Sequence, residues 1–533
     1  MAAVETTTAA VAAATSVAAI DIGSSSIRMV VAQVSPDGHI EPLESLERAA
    51  RLGQDTFRRG RLSPGTMRAA IAILRDYKRV LDLYNVQRVR AVATSSVREA
   101  GNADAFLDRV LMATGLEIAV IDTSEESRLT VSALRQDLGK AVEVDRGEVL
   151  FCEVGGGSTL LTVVHDGQIA ASQSLMLGSI RLQETLATSS ESPERSSQIL
   201  RQQIANVITV NQASLHLKNI RVFIAMGSDA RLAARQVGKE IPATALHRVA
   251  KAALDRLVRT CERQTATQLA RHYELPATEA ETLNPALLVH QAVLHATRAK
   301  EMIVSRVSMR DGLLLDLAAT VTGRDDPLQW EGVVQSALAV AEKYQADLNH
   351  CRNVSDLAVS LFDQLQAEHG LKPRHRLLLR AAGLVHDVGG FVSARSHHKH
   401  SYYLVANSEI FGLTREEILT VALVARYHRR SIPKPTHAEY MMAPRETRVI
   451  VNKLAALLRV ADALDRGHTQ PFREIRCERR EDELVISAPG AIDLALERRA
   501  MTSKGDLFEE VYGLRVRLEE EPKARRPVGQ PPA

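Results

Sequence analysis

Aromatic residues are scarce in this sequence: Phe, Trp and Tyr together make up 4% of its 533 residues. They are not interleaved with basic residues, which is the pattern that stacks nucleic-acid bases, so we expect no nucleic-acid partner. The formal net charge is only +3. A site for a polyanion must therefore arise from local clustering of charge and not from the charge of the whole chain.

Paired cysteines and long apolar runs are also lacking. The four cysteines are scattered and form no C-x-x-C pair, so we expect neither a disulfide framework nor a structural zinc site, and a reducing cytoplasm fits. No apolar run reaches the roughly 18–20 residues of a membrane helix, so no membrane association is expected. With 45% hydrophobic and 25% charged residues, the composition is typical of a globular protein.

Two stretches of the chain open in the same way, with a strand, a glycine turn and a second strand. The first is "SVAAIDIG" (16–23), which is followed by three serines, and the second is "GEVLFCEVGGGSTLLTVV" (147–164). Each continues as alternating strands and helices, which favours two α/β domains that face a cleft. From 330 to about 468 the pattern is helical, and 471–518 reads as strand, strand, helix, strand.

These patterns predict the following segments: a disordered tail (1–16), α/β domain I (17–128), α/β domain II (129–321), a helical domain (330–468), a small α+β domain (469–520) and a second disordered tail (521–533). Local signals mark several element ends. Ser63 predicts the N-cap of a helix that runs to about 86, and Asn102 and Gly115 predict the cap and the end of another. Asp166-Gly167 predicts the tight turn of a hairpin.

The two glycine turns are candidate phosphate loops. Glycine lets the backbone approach an anion closely, and serine adds hydroxyl donors. A single acid-x-Gly turn is also what a plain hairpin contains. Two such loops, with Asp21 before the first and Glu153 before the second, indicate one phosphate site approached from both sides of a cleft.

Two further motifs make the pattern specific: "AVATSSVREAGNADAFL" (91–107), which contains Arg98, and "IDTSEESRL" (121–129). In this order the four motifs resemble the exopolyphosphatase/guanosine pentaphosphatase (Ppx/GppA) phosphatase family, over residues 17 to 318. The resemblance implies two actin-like (ribonuclease H-like) α/β domains. It also implies metal-assisted hydrolysis of a terminal phosphoanhydride of inorganic polyphosphate or guanosine pentaphosphate, with Mg²⁺, in a homodimer.

The resemblance also assigns roles to individual residues. Arg98 is expected to hold the terminal phosphate, and Glu125 to act as the catalytic base, with Arg98 counted as catalytic. Asp21 and Glu153 are expected to bind the metal. The phosphate-binding residues implied for the two loops are Asp21, Gly23, Ser24, Ser26, Gly155, Gly156, Gly157 and Ser158.

The sequence departs from the family pattern in places. Ser25 stands where the family usually has Asn, Glu153 where it has Asp, and Leu160 where it has a second carboxylate. "MGSDAR" (226–231) replaces a turn that is richer in Gly and Thr. Glu153 keeps a ligand oxygen on a longer arm, whereas Leu160 removes a possible metal or water contact.

The helical segment resembles an HD-type metal phosphohydrolase domain. The residues that match its ligand set are His350, His386, Asp387 and Asp462, and imidazole with carboxylate suits zinc, manganese, iron or magnesium. A second metal or a phosphate contact could come from His397, His398, His400 and His428. The alternative is a histidine-rich remnant that serves packing alone.

Three functions follow from these patterns. The favoured one is an exopolyphosphatase, with guanosine pentaphosphate as a further candidate substrate. The second is metal-dependent phosphohydrolysis in the helical domain. The third is a non-catalytic sensor of polyphosphate or guanosine tetraphosphate, which the departures at Ser25, Glu153 and Leu160 would suit.

Overall fold

The computed structural model describes residues 14–138, 147–323, 327–408, 410–429, 431–470, 472, 474–489 and 494–521. The predicted tails therefore lie almost entirely outside the described residues, as do residues 324–326 between the predicted α/β domain II and the helical domain. The chain divides into two compact units, Met1–Pro327 and Leu328–Ala533. We refer to them as the α/β unit and the C-terminal unit.

The α/β unit contains two sheets built to one plan. Strands β1 to β5 are Thr15–Ile22, Ser26–Val34, Ile40–Ala49, Arg88–Ala93 and Ile118–Val120. Strands β6 to β12 are Glu148–Val154, Thr159–His165, Gln168–Leu175, Val222–Met226, Lys239–Glu240, His247–Ala250 and Glu301–Val304. The first sheet has the order β3-β2-β1-β4-β5, and the second has the order β8-β7-β6-β9-β12-β11-β10. In both, an antiparallel three-stranded meander is extended by two strands parallel to its first strand, which confirms the internal repeat. The second sheet adds an antiparallel pair, β11 and β10, beyond these.

Helices cover these sheets. Helices α1 to α12 are Leu52–Arg59, Pro64–Leu83, Ser95–Arg98, Ala103–Thr114, Thr123–Leu138, Ser179–Leu186, Pro193–Asn211, Ser228–Val237, Lys251–Cys261, Ala266–Tyr273, Ala277–Ala296 and Met309–Thr322. Short 3₁₀ turns lie at Thr188–Ser190 and Leu217–Asn219. The apolar faces of the strands form separate cores with the helices of each half. Helix α12 returns to pack on β1 of the first half.

The local signals are mostly confirmed. Ser63 caps α2 by accepting the Thr66 N–H at 3.2 Å, and Gly115 ends α4 with a φ of 70°. Asn102 is the N-cap residue of α4, as predicted, but its side chain makes no capping bond, because its amide instead bonds both the N–H and the carbonyl of Leu62 at 2.9 Å. The Asp166-Gly167 turn has positive φ at both residues, as a tight hairpin turn requires.

The C-terminal unit is helical with one small sheet. Helices α13 to α22 are Pro327–Lys343, Leu348–Gln364, Gln366–His369, Pro373–Val385, His397–Ala406, Arg415–Arg426, Ala438–Met441, Arg445–Leu464, Ala495–Lys504 and Asp506–Tyr512, and a 3₁₀ turn lies at Val388–Phe391. Strands β13 to β15, Arg476–Arg480, Glu483–Pro489 and Arg515–Glu521, form a mixed sheet. A continuous apolar core joins the helices and this sheet. Within the described part of the chain, no helix is long and apolar enough to cross a membrane.

Candidate functional site: a phosphate cavity and two histidine clusters

The two glycine loops meet at one cavity of about 150 Å³ in the α/β unit. The first loop follows β1 and the second follows β6, the equivalent strand of the other half. Both turns are closed by the same backbone bond, Gly23 N–H to the Ser26 carbonyl at 3.0 Å and Gly155 N–H to the Ser158 carbonyl at 2.9 Å. The repeat therefore places two similar turns face to face.

Close packing explains the glycines of the second loop. A Cβ atom on Gly157 would lie 2.1 Å from Ser95 Oγ, and one on Gly156 would lie 3.0 Å from the Ser24 Cβ atom. Ser24 and Ser95 belong to the first half of the unit. Without side chains, the second loop can approach the first closely enough to enclose a small anion.

Most of the predicted loop residues line the cavity, but Ser26 does not. Its hydroxyl donates to Glu47 Oε1 at 2.7 Å and is buried. Ser25 lines the cavity in its place. Glu47 Oε1 also accepts Arg28 Nε–H at 2.8 Å, which anchors an arginine that lines the cavity. Glu47 lies on β3, an exposed and polar strand that the sequence patterns did not predict.

Three arginines line the cavity: Arg28, Arg231 and Arg310. The Nε atom of Arg310 is buried and has no hydrogen-bond partner among the described residues. Burial lowers the pKa of Arg310 and of Arg231, because it removes the water that stabilises the charged guanidinium. Sequence reasoning assigned none of the three. The "VSMRDG" stretch drew attention to the region of Arg310 in the sequence. That the Arg310 side chain lines the cavity depends on the fold and could not be predicted from this stretch.

Of the two glutamates at the start of α5, Glu126 lines the cavity and the predicted base Glu125 does not. Both lie in the first turn of α5, where neighbouring side chains point about 100° apart. Glu125 turns away and is buried against Arg128 (Nε–Oε2 2.7 Å) and Arg90 (Nη2–Oε1 2.6 Å). These arginines outweigh burial and lower the pKa of Glu125. Glu126, the next residue, is therefore the candidate base that the cavity contains.

Glu126 is held by the predicted phosphate ligand Arg98. Arg98 Nη1 lies 2.6 Å from Glu126 Oε1 and also donates to the Ile121 carbonyl. Burial raises the pKa of Glu126 to about 7, against the opposing effect of Arg98 and with smaller contributions from Glu153 and Asp21. A carboxylate with a pKa near neutrality is suited to accept a proton from water.

Asp21 and Glu153 provide oxygen donors that fit a magnesium ion. Both line the cavity, and Asp21 Oδ1 is buried without a hydrogen-bond partner among the described residues. Burial raises the pKa of each carboxyl, Glu47 adds to the rise at Asp21, and Asp21 adds to the rise at Glu153. Two desolvated carboxylates that repel one another provide a favourable place for a hard cation. Leu160 pairs with Glu153 across β6 and β7, so the missing acid of the family pattern lies next to this place.

A buried acid–histidine pair supports one wall of the cavity. Asp229, in the departing "MGSDAR" stretch, lines the cavity, and its Oδ2 lies 2.6 Å from His290 Nε2. His290 is fully buried, and its Nδ1 lies 3.7 Å from Cys152 Sγ. Burial disfavours the imidazolium, but the charge of Asp229 overcomes this and raises the pKa of His290 to about 10.

The C-terminal unit brings together the predicted metal ligands in two groups. The first histidine cluster consists of His350, His386 and Asp462, and the second of Asp387, His397 and His428. Within each, the potential ligand atoms lie within 4.8 Å of one another. The prediction that Asp387 shares a site with His350, His386 and Asp462 is thus corrected, because Asp387 Oδ1 instead lies 3.2 Å from His397 Nε2.

Comparison with known proteins agrees with this organisation. The model of the Ppx/GppA phosphatase family matches residues 29–321, and that of Ppx/GppA phosphatase domain III matches residues 334–502. A guanosine-5'-triphosphate,3'-diphosphate pyrophosphatase of Aliivibrio fischeri is 24% identical over 89% of this chain and 92% of its own length. One of Vibrio parahaemolyticus is 24% identical over 83% and 86%. An exopolyphosphatase structure from Cytophaga hutchinsonii covers 57% of this chain and 98% of its own, with 19% identity and a TM-score of 0.52.

The fold and the cavity define a class: a protein with two α/β halves built to one plan, whose glycine loops face one another at a candidate phosphate cavity. Within that class, the chain belongs to the Ppx/GppA phosphatase family, because the family model covers more than half of it. The likeness to the exopolyphosphatase structure supports the fold of the α/β unit.

Proposed function

We propose that the protein is an exopolyphosphatase that releases orthophosphate from the end of inorganic polyphosphate. The observation that carries the proposal is the convergence of two glycine loops and three arginines on one small cavity with Glu126 in its wall. Phosphoryl transfer requires positioning and charge stabilisation more than covalent chemistry, and this cavity provides both.

The residues act in distinct roles. Backbone N–H groups of the loops and the guanidinium groups of Arg28 and Arg310 bind the oxygens of the terminal phosphate. An incoming phosphate oxygen competes with Glu126 for Arg98, which frees the carboxylate to orient and deprotonate the attacking water. Asp21 and Glu153 would hold Mg²⁺, which neutralises charge on the phosphoanhydride when bound.

A second candidate substrate is guanosine 5'-triphosphate 3'-diphosphate. The observation that favours it is an apolar wall of the cavity, formed by Leu232, Leu275 and Leu283, which could accept a nucleoside. The names of the bacterial relatives support it as well. The relative kcat/KM for long-chain polyphosphate and for this nucleotide decides between the two substrates.

The test is phosphate release with Mg²⁺ from both substrates, by wild type and by Arg310→Gln. The matched control is Arg306→Gln, because Arg306 is exposed and does not line the cavity. We expect the higher kcat/KM for polyphosphate, and a loss of about 10²-fold in Arg310→Gln but not in the control. A higher kcat/KM for the nucleotide would contradict the exopolyphosphatase proposal. Equal loss in both variants would contradict the role of Arg310.

For the C-terminal unit, the HD-type identity and the homodimer implied by resemblance remain part of this proposal. The two histidine clusters support an HD-type arrangement, because an adjacent His386-Asp387 pair contributes one ligand to each. Metal-dependent hydrolysis at these clusters is the alternative function. Phosphate release that survives Glu126→Gln but is abolished by His397→Gln would favour that alternative.

A further inference from the structure

Lys504 and Asp462 form a buried ion pair in the C-terminal unit. The Nζ atom of Lys504 contacts Asp462 Oδ2, and both residues are more than nine-tenths buried. Asp462 is also the carboxylate of the first histidine cluster, where its Oδ1 lies 3.6 Å from His350 Nε2. The positive charge that this buried carboxylate requires is therefore supplied by the chain itself.

The position of Lys504 is fixed by a second buried cation. Arg459 is fully buried on α20, one helical turn before Asp462. Its Nε donates to the Lys504 carbonyl at 3.0 Å, and its Nη2 contacts the Ser503 carbonyl at 3.3 Å and Asp506 Oδ1 at 2.5 Å. These bonds tie the end of α21 to α20. Lys504 is thus held at Asp462 by the fold and not by a flexible surface contact.

A divalent ion at the first histidine cluster would meet this ammonium group. The ion would bind Asp462, and the lysine nitrogen already contacts the other oxygen of the same carboxylate. Two positive charges would then share Asp462, with little solvent to screen them. A second buried carboxylate, Asp465, contacts the far nitrogen of His350 (Oδ2–Nδ1 2.9 Å) and not the ligand atom Nε2. The first cluster is consequently unfavourable for a metal while Lys504 remains in place.

The second histidine cluster contains no such cation among its ligand atoms. His397 Nε2 lies 3.2 Å from both His428 Nε2 and Asp387 Oδ1. An ion with bonds of about 2.0–2.1 Å in tetrahedral geometry separates its ligand atoms by about 3.3–3.4 Å. The two separations from His397 are close to that value, and all three ligand atoms lie within 4.8 Å of one another. The side chain of Asp387 is 30% exposed, which leaves a path from solvent.

The second nitrogens of both imidazoles are engaged in a way that suits ligation. His428 Nδ1 lies 2.6 Å from the Ala425 carbonyl, and His397 Nδ1 lies 3.2 Å from the Ala394 carbonyl. A proton donated from Nδ1 leaves the lone pair on Nε2, where the three ligand atoms converge. Arg429 Nη1 also lies 3.2 Å from His397 Nδ1, a contact that competes with the Ala394 bond because a guanidinium can only donate. With an ion at Nε2, Nδ1 is protonated and bonds the Ala394 carbonyl, and the charge of Arg429 favours an anion as the fourth ligand.

We propose that Lys504 replaces a metal ion at the first histidine cluster, and that the C-terminal unit binds one divalent transition-metal ion at the second, through Asp387, His397 and His428. Two imidazoles and one carboxylate suit zinc, iron or manganese. The fourth position is open to water or to a phosphate oxygen. This inference concerns the C-terminal unit and does not depend on turnover in the α/β unit.

The test uses the full chain, stripped with chelator and titrated with Co²⁺ in excess Mg²⁺. Cobalt bound by imidazole in tetrahedral geometry absorbs visible light strongly, whereas cobalt bound by the oxygen ligands of the α/β unit absorbs weakly. We expect one equivalent of the strong absorption in wild type and in His350→Gln. His397→Gln should weaken cobalt binding at least about tenfold. Strong absorption that survives His397→Gln, is lost in His350→Gln, or is absent from wild type would overturn the proposal.

Lys504→Met tests the replacement itself. This variant should gain a second equivalent of strong absorption, which His350→Gln should remove again, whereas Lys504→Arg retains a cation and should bind one. A single equivalent in folded Lys504→Met would contradict the replacement. Circular dichroism reports whether Lys504→Met folds. If it does not, the count in wild type decides, because an unblocked first cluster would give two equivalents.

Discussion

Glu126, which lines the cavity, places its Oε1 2.6 Å from Nη1 of Arg98, which is not among the residues that line it. The pair joins a cation suited to a phosphate oxygen with a carboxylate suited to a water proton. In the proposed mechanism, a bound phosphate takes over the contact with Arg98, which leaves the carboxylate of Glu126 free to act as the base.

The pH dependence of turnover should report Glu126. Burial raises its pKa to about 7, and the residue accepts a proton only when ionised. We therefore predict that kcat/KM for polyphosphate rises as the pH increases through about 7 and levels off above it. A profile measured at saturating Mg²⁺ checks this. A midpoint close to the ordinary glutamate value of 4.5 would argue against Glu126 as the base.

The Asp229–His290 pair should stabilise the α/β unit in a pH-dependent manner. The pKa of His290 is raised to about 10, so the stabilisation is complete below the unfolded value of about 6.5 and is lost as the pH rises through about 10. We predict that Asp229→Asn lowers the free energy of unfolding by about 3–5 kcal/mol near pH 6, and by less near pH 10.

Urea unfolding at the two pH values measures this effect. The matched control is Asp255→Asn, which breaks the half-exposed pair between Asp255 Oδ1 and His295 Nε2 at 2.9 Å. The control should cost no more than about 1 kcal/mol. If Asp229→Asn lowered the free energy of unfolding equally at both pH values, His290 would not be the charged imidazolium that the raised pKa implies.

Gly178 should be essential to the second phosphate loop. A Cβ atom there would lie 2.2 Å from the Gly157 carbonyl carbon and 2.4 Å from Ser158 N. We predict that Gly178→Ala displaces the loop and lowers kcat/KM by at least about tenfold, since small displacements of positioning groups are costly. Gly65→Ala is the control, because its Cβ would meet only Ser63 Oγ at 3.8 Å. Full activity in Gly178→Ala would contradict the loop's role.

Leu160 should limit the affinity for magnesium. It pairs with Glu153 across two strands, so Leu160→Glu places a second carboxylate beside a proposed ligand. We predict that this variant lowers the Mg²⁺ concentration for half-maximal activity by about tenfold, because hard cations gain from added carboxylates. Leu160→Gln, similar in size but uncharged, should not. An identical response of the two variants would locate the metal elsewhere.

The repeated fold and most of the loop residues could be predicted from the sequence, because glycine turns and apolar strands leave local patterns. The choice between Glu125 and Glu126 could not. Adjacent residues of a helix turn face different directions, and the partners that attract Glu125, Arg90 and Arg128, do not form a recognisable motif.

Other features depended on long-range contacts. Strand β3 is exposed and contains a proline, so its pattern is weak, yet Glu47 on it anchors Arg28. Lys504 reaches Asp462 from another helix, 42 positions along the chain. The ligand pattern in the sequence indicated a metal ion at Asp462. Only the packing of α20 against α21 shows that Lys504 contacts this carboxylate.

The most direct test of the central claim compares Glu126→Gln with Glu125→Gln in phosphate release from polyphosphate. If Glu126 is the base, Glu126→Gln should lower kcat by about 10²- to 10³-fold while the protein stays folded. Glu125→Gln should lower the midpoint of thermal unfolding and reduce kcat less than about tenfold, since Glu125 holds two arginines outside the cavity. Full kcat in Glu126→Gln, with loss in Glu125→Gln, would contradict the account.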